Sequence, residues 1–236
     1  MEPTAKLYLI PSLLGDNEPL EVLPLSVKKV IGEVDHYIVE NEKSARAFIK
    51  KVLPSKSQQD LRIDVLNKYT EEADIPSFLN PIADGHSVGI ISEAGAPGVA
   101  DPGGEVVQIA HNRNINVVPL AGPSSILMAM MASGMNGQNF AFTGYLPIEK
   151  HLRKKRIKAL ENLSQKSGQS QIFMETPYRN QKLFQELLLE CNSQSRLCIA
   201  TDISLKTEQI KTMTIEAWKR AKPDLEKRPS IFILQA

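Results

Sequence analysis

Apolar positions recur along this chain with two different periods, and the alternation between them sets the expected fold. The run over 6–11 carries Leu7, Leu9 and Ile10 and stops in a Pro-, Gly- and Asp-rich stretch at 12–19. That pattern predicts a buried first strand with a functional loop behind it. Val27, Val30, Ile31 and Val34 then repeat at helical spacing within 22–34, and 36–40 predicts a second strand ending on Glu40. A helix with a basic outer face is expected over 43–52. The stretch 54–76 has no strong period, although Leu61, Ile63, Val65 and Leu66 suggest a strand. Strands at 87–92 and 115–120 flank a helix at 105–112. Strand–helix repetition predicts a mainly parallel sheet covered by helices, with ligand sites beyond the carboxyl ends of its strands.

Beyond 120 the spacing changes. A Met-rich helix to 133, a strand at 140–142, a basic helix over 150–163 and a polar linker at 164–170 come first. Strands at 171–175, 195–203, 209–214 and 230–234 follow, with helices at 180–192 and around Trp218. Strands this close together predict a mixed or antiparallel sheet. The expectation is two α/β/α domains, 1–120 and 121–236, with no internal repeat.

Composition narrows the function classes. Hydrophobic residues at 42% and charged residues at 23% exclude wholesale disorder or a fibrous repeat. Lys and Arg number 28 against 27 Asp and Glu, a net charge of +1, which argues against indiscriminate coating of nucleic acid but not against a local basic patch. The longest purely apolar run, 126–132, falls far short of the roughly 20 residues that span a bilayer. No signal-like segment opens the sequence, and Cys191 and Cys198 fit neither a metal-ligand spacing nor a disulfide framework. These features lead us to expect a cytoplasmic protein without a metal.

Three loops could carry chemistry. The segment 92–104 is rich in Gly, Pro and Ala, so its backbone is bent and nearly bare, open to a ligand's approach; Glu93 and Asp101 are its acids. Asp101 before Pro102 also suits a helix N-cap. The loop Ala121-Gly122-Pro123-Ser124-Ser125 leads into a helix whose first amides could hold an anion, or Ser124 could simply cap it. Neither loop is a G-x-G-x-x-G fingerprint or a P-loop. In Phe173-Met174-Glu175-Thr176-Pro177-Tyr178-Arg179 a strand end delivers a carboxylate four residues before a guanidinium, either a structural pair or a candidate base in a cleft.

Taken in order, ISEAGAPGVADPG, VVPLAGPSSI, FTGYLP and FMETPYR resemble the successive signatures of the tetrapyrrole-methylase-like (class III) S-adenosylmethionine-dependent methyltransferases, and LYLIPSLLGD is similar to the family's first strand. Within that superfamily the chain most resembles the bacterial enzymes that methylate a cytidine ribose 2′-hydroxyl in small-subunit ribosomal RNA. The resemblance implies two α/β/α domains, usually in a homodimer, with the cofactor in a cleft between them. It further implies cofactor contacts at Pro11, at the main chain of Gly95, Ala96, Val99 and Ala100, at Ser124 and Ser125, and near Met174 and Ile203. The sulfonium methyl is already activated, so such a site mainly aligns the nucleophile and excludes water. A ribose hydroxyl is a poor nucleophile and needs an acceptor for its proton, for which Glu40 and Glu175 are the candidates.

The pattern departs from the family at several points. The family's E-D-T-R is Glu40-Asn41-Glu42-Lys43 here, its R-E-L-T-K is Thr201-Asp202-Ile203-Ser204-Leu205-Lys206, and its Gly-Glu before the last strand is Pro229-Ser230. The sequence also stops at Ala236, short of the family's common helical extension. Six Lys or Arg lie within 150–158, either a solvated helix face or a phosphate-contacting one. Arg153, Lys154, Lys155 and Arg179 are the expected substrate contacts, with ribosomal RNA or the small subunit as partner. Two alternatives stand beside this reading. One is methylation of a tetrapyrrole or another small molecule, and the other is a cofactor-binding module without catalysis.

Overall fold

Alternating side chains on the central strands of the first sheet bury two apolar faces at once. Tyr37, Val39, Ile10 and Ile91 pack with Val27, Ile31 and Ile49 on one side, while Ile38, Leu7, Val88 and Ile90 pack with Val106, Ala110 and Leu79 on the other. Strands buried on both faces are the mark of a parallel sheet under two layers of helix. The computed structural model describes residues 5–236 and divides the chain into two units, Met1–Ser124 and Ser125–Ala236.

In the first unit β1 (Lys6–Ile10), α1 (Pro19–Val22), α2 (Leu25–Glu33), β2 (His36–Val39), α3 (Glu42–Val52) and β3 (Arg62–Val65) come in that order. A 3₁₀ turn at Ile75–Leu79, α4 (Asn80–Ala83), β4 (Val88–Ile91), α5 (Gly103–Asn112) and β5 (Asn116–Pro119) complete it. The helix expected over 22–34 is split, because Pro24 cannot sit inside it and instead caps α2. Asn41 caps α3, its side chain accepting from the Ser44 amide at 3.1 Å.

The strands are all parallel in the order β3-β2-β4-β1-β5. Close packing between layers explains Gly89 in β4: a Cβ there would lie 2.6 Å from Ile10 Cδ1 and 3.2 Å from the Tyr37 ring. From β1 the chain crosses to β2 on one side, and from β4 it crosses to β5 on the other. Neighbours β1 and β4 therefore form the topological switch point, where parallel sheets open a crevice for ligands.

The second unit contains α6 (Ser125–Ser133), β6 (Phe140–Tyr145), α7 (Lys150–Ser167), β7 (Ser170–Met174), α8 (Asn180–Glu190), β8 (Arg196–Thr201), β9 (Gln209–Thr214), α9 (Ile215–Trp218) and β10 (Ser230–Gln235). Its sheet, β6-β7-β10-β8-β9, is mixed: β6 and β7 run parallel and the other pairs antiparallel. The fold is thus the expected pair of α/β domains, one sheet parallel and one mixed. Phe173 stacks on Phe232 at 6.0 Å, Trp218 meets Phe184 edge-on, and its indole donates to Leu197 O at 2.8 Å. The linker expected at 164–170 is instead the last turn of α7 and the start of β7. Ser164 is buried and accepts from the Ala236 amide at 3.0 Å, and Gly168, at φ 66°, ends the helix in the left-handed conformation. No described helix is long and apolar enough to cross a membrane.

Candidate active site

At the switch point three loops meet within the first unit. The Ser12 amide donates to Gly95 O at 2.9 Å, and the Ser92 hydroxyl donates to the same carbonyl at 2.8 Å. A Cβ on Gly95 would stand 3.1 Å from Leu14 Cδ2 and 3.4 Å from Pro123 O, so the segments after β1, β4 and β5 touch there. Gly122 lies against Pro11 so closely that an added Cβ would fall 2.2 Å from its ring. Pro11 and Gly95, predicted from separate stretches of sequence, thus belong to one cluster of loops with Gly122 and Pro123, next to Ser124 in sequence, while Ser125 opens α6 in the second unit.

The loop after β4 is crumpled. Gly95, Gly98 and Ala100 have φ of 76°, 79° and 60°, and the last of these is a strained conformation for alanine, of order 1–2 kcal/mol. Val99 and Ala100 are exposed, and Asp101 pins the bend by accepting from the Gly98 amide at 2.7 Å and the Gly103 amide at 2.8 Å through Oδ1. Its other oxygen, Oδ2, is buried with no partner among the described residues. Burial pushes the Asp101 carboxyl above the usual range.

Glu40, at the carboxyl end of β2, is the other acid here. Burial first, then the charges of Asp101 and Glu93, push its carboxyl up, opposed by a hydrogen bond from the Glu93 backbone. A carboxylate of raised pKa is a stronger proton acceptor than an ordinary one. Glu40 and Asp101 share the walls of a small cavity with Ile38, Leu66 and Ile90.

Beside the start of the same loop an open cavity of about 290 Å³ lies between the segment after β1 and α3, and Glu93 on its lining is the residue whose backbone bonds Glu40. Glu93 stands on its rim, accepting from the Ser44 hydroxyl at 2.5 Å, and Lys51 reaches across to Asp16 at 2.7 Å.

In the second unit, β7, β10 and β8 bring their ends together, with Met174 opposite Ile231 and Thr201 opposite Ser230. Glu175, 5% exposed, follows Met174, and its Oε1 accepts from the Thr176 amide at 2.7 Å and from Arg179 Nη2 at 2.6 Å. Glu175 and Arg179, predicted for separate roles, are partners of each other. Ile203 is buried in the loop after β8.

The model of the family described as Tetrapyrrole (Corrin/Porphyrin) Methylases matches residues 6–218. The chain belongs to the tetrapyrrole methylase family. It is an S-adenosylmethionine-dependent methyltransferase. A protein named ribosomal RNA small subunit methyltransferase I from Buchnera aphidicola subsp. Schizaphis graminum is 25% identical over 99% of this chain and 79% of its own length. One of the same name from Escherichia coli O157:H7 is 22% identical over 98% of this chain and 77% of its own. Among solved tetrapyrrole methylase folds, the methyltransferase CobJ has a TM-score of 0.64 at 14% identity, covering 98% of this chain and 94% of that one. A Thermus thermophilus uroporphyrin-III C-methyltransferase complexed with S-adenyl homocysteine has a TM-score of 0.55 at 17% identity, covering 98% and 97%.

The residues present fit a tetrapyrrole methylase cofactor. The loop at 95–100 is sharply bent by three left-handed residues, and Gly122 has no room for a side chain, so main chain is what these loops can offer. Among the described residues no group of three or more His, Cys, Asp or Glu could hold a metal ion.

Two departures from the tetrapyrrole methylase pattern turn out to be neighbours. Thr201 and Ser230, standing where the family pattern has Arg and Glu, are cross-strand partners whose buried hydroxyls lie 3.1 Å apart. The loop that follows is held by Asp202, which accepts from Arg228 Nε and from Thr207 Oγ1, both at 2.8 Å.

The basic helix needs a correction. Arg153 is not on its solvent face: it is 3% exposed, forms a two-pronged pair with Glu186 at 2.5 and 2.7 Å, and donates to Pro147 O and Ile148 O. Helical spacing puts it in register with Ile157, Leu160 and Ser164, all buried, a signal the sequence does contain. Lys154 pairs with Glu190 at 3.0 Å, and Lys158 donates to Glu190 O. Lys150, Lys155 and Arg156 make up the exposed remainder.

Proposed function

We propose that this methyltransferase acts on small-subunit ribosomal RNA, at a ribose 2′-hydroxyl. The observation that carries the reading is the match, over nearly the whole chain, to relatives whose name specifies that RNA, whereas the solved tetrapyrrole enzymes share the fold at 13–17% identity. In this reading Pro11, Gly95, Ala96, Val99, Ala100, Ser124, Ser125, Met174 and Ile203 hold the cofactor, which supplies an activated methyl group on sulfonium. Glu40, with its raised pKa, accepts the hydroxyl proton. Glu175 keeps a lesser claim, because Arg179 and a backbone amide already occupy its Oε1. Lys154 and Lys155 contribute to a phosphate-contacting face, from which Arg153 is withdrawn. The protein works as a cytoplasmic homodimer.

Calorimetry with S-adenosylhomocysteine, together with transfer of labelled methyl to small ribosomal subunits and nuclease mapping of the product, tests this. Binding in the micromolar range and label on a ribose are expected. Label on a base, or on a tetrapyrrole supplied in competition, overturns the acceptor assignment. Ser124→Trp should abolish product binding; unchanged affinity moves the cofactor elsewhere.

A further inference from the structure

The cavity of about 290 Å³ beside the crumpled loop has no part in the reading so far. We propose that it is the acceptor pocket, taking one nucleoside turned out of the RNA. This rests on the ribosomal reading above and deepens it.

Position is the first argument. The cavity opens at the switch point, its floor formed by Ile91 and Ser92 at the end of β4. The chain that continues from that floor is the loop at 95–100, and the Ser12 amide ties the opposite wall to Gly95 O at 2.9 Å. Both ligand positions therefore border the same loop, side by side, as in-line transfer over a few ångströms requires.

Size is the second. The volume sits at the small end of the ~300–1,000 Å³ range of ligand pockets. It matches one nucleoside, whereas a tetrapyrrole macrocycle, several times larger, would stand mostly outside it.

Chemistry is the third. Leu13, Leu14 and the half-buried ring of Phe48 form an apolar wall on which a base can stack. The Glu93 carboxylate, already accepting from Ser44 at 2.5 Å, is placed on the rim to accept from sugar hydroxyls. Lys51 bridges to the fully exposed Asp16 across the mouth, an ion pair weak enough for a phosphate to replace Asp16. Two carboxylates on the rim disfavour an acceptor that itself carries many carboxylates. An enzyme that takes a whole nucleoside into a recessed site must draw its base out of the stack.

Ala47, exposed on the lining, lets the pocket be filled without touching the core. In Ala47→Trp, methyl transfer to small subunits should fall at least tenfold and co-sedimentation with subunits should weaken, while S-adenosylhomocysteine affinity stays within twofold. Phe48→Ala should lose roughly tenfold in transfer, the scale of one lost stacking contact, and Phe48→Tyr should restore it. Wild-type transfer in Ala47→Trp, or equal losses of product binding and transfer in both variants, overturns the pocket. A wild type that binds the product yet labels no subunits overturns the ribosomal reading and the nucleoside with it.

Discussion

Arg153 shows how a single side chain can be misjudged from its neighbours in sequence. It lies in a run of cations, yet its guanidinium faces inward onto Glu186 and two carbonyls. Removing one partner of a buried pair leaves the other charged and unsolvated, so Arg153→Ala should lower stability by about 3–5 kcal/mol, read from urea midpoints. Arg153 holds the Glu186 carboxyl below the usual range. The folded state therefore binds that proton less tightly than the unfolded chain, and the contribution is present above the ordinary glutamate pKa and lost as pH falls through the folded one. The deficit of Arg153→Ala should accordingly narrow on acidification; a constant deficit means the pair carries none of it. Period alone could have turned Arg153 inward, since it stands one turn before Ile157. Nothing local identifies Glu186, which is 33 residues away.

At the scale of elements, the loop between β4 and α5 was legible because Gly and Pro recur there too closely for a helix or strand to run through. The lock inside it was less so. Asp101 reads as a simple helix cap, whereas its Oδ1 joins two amides across the bend and its Oδ2 is buried without a partner among the described residues. Since burial raises the Asp101 carboxyl, the folded state holds its proton more tightly, and stability from this group declines as pH rises through its folded pKa. Asp101→Asn keeps the Oδ1 acceptor and cannot ionise. Its stability relative to wild type should improve as pH rises above the ordinary aspartate range of about 4, and a flat difference would mean that Oδ2 is solvated. The strand–helix order of the first unit was readable for the same kind of reason, as period and turn residues agree there. The last turn of α7 was not, because Ser164 and its neighbours look like linker until the Ala236 amide, 72 residues on, is brought to the Ser164 hydroxyl. The cavity was equally invisible, its walls coming from 12–16, 44–51 and 91–94.

For the molecule as a whole, a net charge of +1 coexists with a helix whose first half keeps Lys150, Lys155 and Arg156 exposed once Arg153, Lys154 and Lys158 are paired. Reversing all three to Glu should weaken subunit binding and flatten its dependence on log salt by about 2, with S-adenosylhomocysteine affinity unchanged. An unaltered salt slope reduces the helix to a solvated face. The buried hydroxyl couple of Thr201 and Ser230 bears on how such a sequence could have come about. Arginine alone at 201 would bury a cation against a hydroxyl, and glutamate alone at 230 would bury an anion; each leaves a buried charge unpaired. Passage between the family's charged residues and this neutral couple therefore needs paired substitutions or a permissive intermediate at a third position. The two departures are thus one coupled change at a shared contact rather than two separate losses.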